Sequence, residues 1–154
     1  MRSRLRPSPA RLLPLAALLA LAACDSGTDE PAPSGNVAGT YAGDATASFA
    51  DGTTIDYGVR LTLGEPDDMG VAIGPLRIDR GPVGNVSAVT VTGKASAQVS
   101  GTTLELTGSA AKAGGGITFE GTATLRDSLL VVSRATFVDY AYGESDGVAI
   151  TLRR

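Results

Sequence analysis

The chain has 154 residues, with Lys+Arg 13 and Asp+Glu 16 for a formal charge of -3, and it has no histidine, no tryptophan and a single cysteine. Imidazole metal sites, Ser-His-Asp or Cys-His catalysis and imidazole proton shuttling are therefore excluded, as is any disulfide within the chain. With 20 Gly, 8 Pro and 5% aromatics in a weakly acidic sequence, the basic patches and stacking rings that grip nucleic acids are missing, and the length suits one domain.

The first eleven positions carry Arg2, Arg4, Arg6 and Arg11 with no acid, and Leu12 to Ala23 is all Leu and Ala except Pro14. A basic start followed by an apolar run is the pattern of a secretory signal. A run of about 12 residues falls short of the roughly 20 that cross a hydrocarbon core, so a permanent span is not expected. The run ends in Leu21-Ala22-Ala23-Cys24, which resembles the lipobox of bacterial lipoproteins. The resemblance implies that a signal peptidase recognises Leu21, Ala22 and Ala23 and cuts before Cys24. It also implies a diacylglyceryl group on the Cys24 thiol and, often, a further acyl chain such as palmitate on the new amino terminus. Two or three chains, at about 0.8 kcal/mol per buried methylene, hold a protein durably where one holds it marginally.

Loss of residues 1–23 removes four of the 13 basic residues and none of the 16 acidic ones, leaving 9 minus 16, or -7. That charge disfavours anionic headgroups and nucleic acid as partners of the domain itself, so membrane contact is expected through the lipid on Cys24 alone. The expected location is the cell envelope, with the outer membrane favoured. Asp25, Asp29 and Glu30, which follow the cysteine, leave the periplasmic or surface face open.

Residues 24–36 then form the acylated cysteine and a tether. Asp25 to Gly35 has no large apolar side chain, two prolines and three acids, a composition that cannot build a core. Fully extended at about 3.3 Å per residue, it reaches on the order of 35 Å.

From residue 37 to 154 the sequence reads as a single β domain. Ile55, Tyr57, Val59, Leu61 and Leu63 alternate with Asp56, Gly58, Arg60 and Thr62, and Ile117, Phe119, Ala123 and Leu125 alternate with polar residues in the same way. A period of two predicts strands with one dry and one wet face. Strands are predicted near 37–49, 54–63, 70–79, 86–92, 94–100, 102–110, 116–126, 128–138 and 147–153. The connections between them are short and rich in Gly, Asp and Pro, too short for a crossover helix, so neighbours are expected to pair antiparallel. The predicted fold is an all-β meander of about eight or nine strands forming a small barrel, with a two-layer sandwich as the alternative. Gly74-Pro75 interrupts the alternation of Val71 and Ile73 with Leu76 and Ile78, which predicts a bulge or bend.

Gly39-Thr40-Tyr41 resembles the Gly-X-Trp that opens the lipocalin (calycin) barrel, with tyrosine in place of tryptophan, and Arg153 on the last strand stands where that family packs an arginine across the ring. The resemblance implies an up-and-down eight-stranded barrel whose interior can hold an apolar ligand.

Small residues are expected to face inward at Ala45, Ala47, Ala95, Ala97 and Ala123, so the interior either retains a cavity or packs tightly. In the first case Val59, Leu61, Val71, Ile73, Phe119 and Leu125 would line a pocket for a small apolar ligand. In the second the core is filled and the chain acts through its surface or loops on an envelope protein. Asp51 to Asp56, Glu65 to Asp68 and Glu144 to Asp146 gather carboxylates in loops, without the spacing of a calcium loop, and read as turn formers rather than metal ligands. No carboxylate pair is spaced for glycoside hydrolysis, and neither catalysis, nor a metal, nor a cofactor is expected. Tyr140 and Tyr142, half of the four tyrosines, flank a Gly- and Asp-rich loop where they either form an exposed patch or cap the core.

Overall fold

The computed structural model describes residues 36–113 and 115–154; the signal, the lipobox with Cys24 and the tether up to residue 35 lie outside the described residues. Nine strands follow one another: β1 (Gly39–Ser48), β2 (Thr54–Leu63), β3 (Val71–Arg80), β4 (Val89–Ser100), β5 (Thr103–Lys112), β6 (Gly115–Arg126), β7 (Leu129–Asp139), β8 (Gly143–Glu144) and β9 (Val148–Arg153). β1 to β7 pair antiparallel in chain order, β9 pairs with β7 and with β1, and two-residue β8 adds to the end of β7. The sheet therefore closes as an eight-stranded barrel with one extra strand, and the sandwich alternative is set aside. Closure is what hides the backbone edges that an open meander of this size would expose.

Two sequence expectations are corrected at glycines. The runs predicted at 86–92 and 94–100 are one strand, β4, which pairs with β3 and β5 across Gly93 without a register shift. Gly93 permits a close approach rather than a break, because a Cβ there would run into the Ser109 carbonyl oxygen. Of the bulge or bend expected at Gly74-Pro75, the bulge is overturned, since Val71–Arg80 pairs with β4 in unbroken register, while the ladder to β2 ends at Leu76, next to Pro75. A Cβ on Gly74 would run into the Thr62 carbonyl oxygen.

With no extra residue in β3, the inward parity set by Leu76 and Ile78 extends back to Ala72, and all three are buried. Val71 and Ile73 therefore fall on the outward parity, Val71 half-buried and Ile73 57% exposed, and neither lines the interior as expected. A register shift occurs instead in β7, opposite Thr122 and Ala123. Ser133 and Arg134 are both exposed there, which lets Leu130 and Val132 before the shift and Ala135 and Phe137 after it all point inward.

The interior is filled by Tyr41, Tyr57, Phe119 and Phe137 among Ile, Leu and Val side chains, with Ala45, Ala47, Ala95, Ala97 and Ala123 facing inward as expected. Each buried ring removes about 150–250 Å² from water, so a few rings placed among alanines fill a narrow barrel and supply much of its hydrophobic stabilisation.

At the base, where β1 begins and β9 ends, a further correction arises. Arg154, not Arg153, crosses the ring: its guanidinium lies 5.3 Å from the Tyr41 centroid and donates to the Tyr41 hydroxyl at 2.9 Å. The same Nη2 donates to the carbonyls of Asn36 and Ala38, both at 2.6 Å, while Tyr41 donates to the Val37 carbonyl at 2.9 Å. Arg153 points outward and is exposed, as its parity after inward Leu152 requires.

Candidate functional site

Because the strands alternate in direction, β1, β3, β5 and β7 all end at the rim opposite the Tyr41 base. Arg80 is the last residue of β3 and Asp139 the last of β7, and both continue the inward parity of their strands. The barrel mouth thus receives a guanidinium 8% exposed and a carboxylate 3% exposed. Asp139 Oδ2 accepts the Tyr57 hydroxyl at 3.1 Å and faces Arg80 Nη1 at 3.5 Å, while its Oδ1 accepts the Ala141 backbone N–H at 2.9 Å. Arg80 Nη2 donates to the Ser87 carbonyl at 3.3 Å, and the guanidinium lies 5.5 Å from the Tyr142 ring centroid. Arg80 Nε is buried and has no hydrogen-bond partner.

The opposite charges offset one another, as burial demands, but the pairing is loose: charge-assisted N–H···O bonds usually span about 2.7–2.9 Å. Burial, and next the neighbouring Asp139 carboxylate, push the Tyr57 phenol well above its ordinary 10.0. Tyr57 therefore stays neutral at physiological pH and offers a hydrogen bond rather than a proton.

Below the charges an aromatic string leads into the core. Tyr142 packs on Phe49 with centroids 6.0 Å apart, Phe49 on Tyr57 at 6.5 Å, Tyr57 stacks on Phe137 at 4.4 Å, and Phe137 meets Phe119 at 5.5 Å. The two tyrosines of the loop after β7 divide the alternatives between them: Tyr142 caps this string, whereas Tyr140 is 82% exposed.

Of the residues expected to line an apolar pocket, Val59, Leu61, Phe119 and Leu125 do face inward, where they join the packed core, and Val71 and Ile73 do not. The cavities open at the surface instead. One of about 140 Å³ lies beside Arg80 and is lined as well by Val89, Val91, Lys112, Asp139, Tyr140 and Ala141. A wider groove of about 660 Å³ runs over the outside of β1 to β3 past Asp44, Asp56 and Asp79.

The loop carboxylates act locally. Asp51 accepts the Thr53 N–H at 2.8 Å, which holds its carboxyl below the usual range, and Asp67 accepts the N–H groups of Met69 and Val71, both at 2.9 Å. Among the described residues no group of three or more Cys, Asp or Glu side chains is arranged to hold a metal ion.

Arg80 and Asp139 escape a reading by alternation for a simple reason: the strands predicted at 70–79 and 128–138 stop one residue short of each. The available signal is parity, since Ile78 to Arg80 and Phe137 to Asp139 are inward steps of two that end on a charge. No protein-family model matches the chain, and no curated protein matches it.

Proposed function

We propose that the chain is a lipid-anchored cell-envelope lipoprotein whose barrel is a non-catalytic binding module working through its rim and outer surface. The observation that carries the anchor is Leu21-Ala22-Ala23-Cys24 directly after a basic segment and an apolar run. Support for the surface over the interior comes from the packing. Tyr41, Tyr57, Phe119 and Phe137 fill the space that an apolar ligand would need.

The anchor is tested by Cys24→Ser, which should release the protein from the membrane fraction and abolish incorporation of a fatty-acid analogue. Labelling that persists in the variant would remove the anchor from the reading. Native mass spectrometry of gently extracted protein should show no lipid beyond the covalent one. A stoichiometric co-purifying lipid would return binding to the barrel interior and to Val59, Leu61, Phe119 and Leu125.

A further inference from the structure

The barrel closes where β1 meets β9, and that junction is built unlike the others. β1 pairs with β2 at every position from Gly39 to Ser48, and β9 pairs with β7 from Ile150 to Arg153. Among the described residues, β1 and β9 pair at a single position, Ala42 with Arg153. Beyond it the two strands meet by packing: Gly43 lies so near the Thr151 carbonyl oxygen that a Cβ there would run into it. The junction is pinned at its ends instead. At the base, Arg154 Nη2 donates to the carbonyls of Asn36 and Ala38 and to the Tyr41 hydroxyl. At the rim, the Asp146 N–H donates to the Ser48 carbonyl at 2.8 Å, and Ser145 bridges to Phe49.

A junction held by one ladder pair and two end contacts parts more easily than a continuous ladder, and local opening follows the line of fewest such bonds. β1 and β9 also stand at the two ends of the barrel's strand series, so parting them leaves every hairpin from β1 to β7 paired. We infer that the barrel opens along the β1–β9 seam, with Arg154 as the latch at its base. Opening turns the inward side chains of these two strands, among them Ala47 and Leu152, toward solvent while the β4 side stays covered. The interior is then reached from the side rather than through the mouth, where Arg80, Asp139 and Tyr142 stand. This goes beyond the binding reading and is independent of the anchor.

The test is alkylation of an introduced inward cysteine by iodoacetamide under native conditions. The full chain carries Cys24→Ser in detergent micelles, so that the introduced thiol is the only one. Ala47→Cys on β1 and Ala97→Cys on β4 make the same small change at positions that are both 0% exposed. Ala47→Cys should react at least about tenfold faster than Ala97→Cys and depend weakly on urea, whereas Ala97→Cys should follow the steep urea dependence of global unfolding. Adding Arg154→Ala should speed the reaction of Ala47→Cys by about tenfold to a hundredfold, because it removes the charged donor that pins the seam. Equal rates with equal urea dependence at Ala47→Cys and Ala97→Cys would overturn the seam. So would a fast reaction at Ala47→Cys that Arg154→Ala leaves unchanged, which would place the opening at the rim. Should Ala47→Cys fail to fold, Leu152→Cys on β9, also 0% exposed in the parent chain, takes its place with the same outcomes.

Discussion

Tyr57 on β2 donates its hydroxyl to Asp139 at the end of β7, at 3.1 Å. Phe137, two positions before Asp139 and on the same face of β7, stacks on the Tyr57 ring at 4.4 Å with planes 7° apart. One side chain thus carries an apolar and a polar contact to one strand. Tyr57→Phe keeps the ring and removes the donor, leaving Asp139 less satisfied, and should cost about 1–3 kcal/mol in urea unfolding. Tyr57→Ala loses the ring as well and should cost about 3–5 kcal/mol. Equal stability of Tyr57→Phe and the parent chain would show that the hydroxyl contributes nothing.

Burial, followed by the Asp139 carboxylate, raises the folded Tyr57 above its ordinary 10.0, so the unfolded chain loses the phenolic proton first. The folded state then binds more protons than the unfolded state, and stability falls as pH rises. The contribution of Tyr57 is complete below pH 10.0 and declines above it. Thermal melts of the parent chain and Tyr57→Phe at increasing pH should show the parent's advantage shrinking past that point. An advantage that grew with pH would have the wrong sign.

Removing one member of the Arg80–Asp139 pair strands the other's charge in the rim. Asp139→Leu alone should cost about 3–5 kcal/mol, and Arg80→Met combined with Asp139→Leu should recover part of that loss. The quantity to measure is the coupling energy in a double-mutant cycle from denaturant curves. Additive losses would mean that the 3.5 Å approach carries no energetic coupling.

At the base, Arg154→Ala removes bonds to Tyr41 and to two carbonyls and should cost about 1.5–3 kcal/mol. Arg153→Ala, at an outward and exposed position, should stay within about 0.5 kcal/mol. Calorimetry on the two variants decides between neighbouring arginines, and the reverse order would restore Arg153 as the residue across the ring.

Ile73 and Leu76 provide a similar contrast on β3. Ile73→Thr should change stability by no more than about 0.5 kcal/mol, because the side chain is 57% exposed. Leu76→Ala empties a buried position and should cost about 2–5 kcal/mol.

How legible the barrel is in the sequence depends on whether one parity of a strand is plainly polar. β2 satisfies that condition: Asp56, Arg60 and Thr62 mark the wet face, the predicted span 54–63 matches Thr54–Leu63, and Ile55, Tyr57, Val59, Leu61 and Leu63 are buried. β3 does not, because Val71, Ala72 and Ile73 put apolar side chains on both parities, and only pairing with β4 selects Ala72. Gly93 reads as a turn residue in sequence, whereas its use inside β4 depends on how closely Ser109 approaches. The step from Leu152 to Arg154 was available by alternation, as were those from Ile78 to Arg80 and from Phe137 to Asp139. A charge at a strand end looks like the start of a loop, and only the closed sheet shows that it turns into the mouth.

The base contact also has a mechanical meaning. For a chain held by Cys24, tension enters the barrel at Asn36, whose carbonyl Arg154 grips together with that of Ala38. A load applied at the far rim then runs along the axis of β1, which is paired with β2 over its whole length from Gly39 to Ser48. Hydrogen bonds pulled parallel to the strands must yield together rather than one after another, so under such a load Arg154 would fasten the start of the described chain to the strand ladder that resists it.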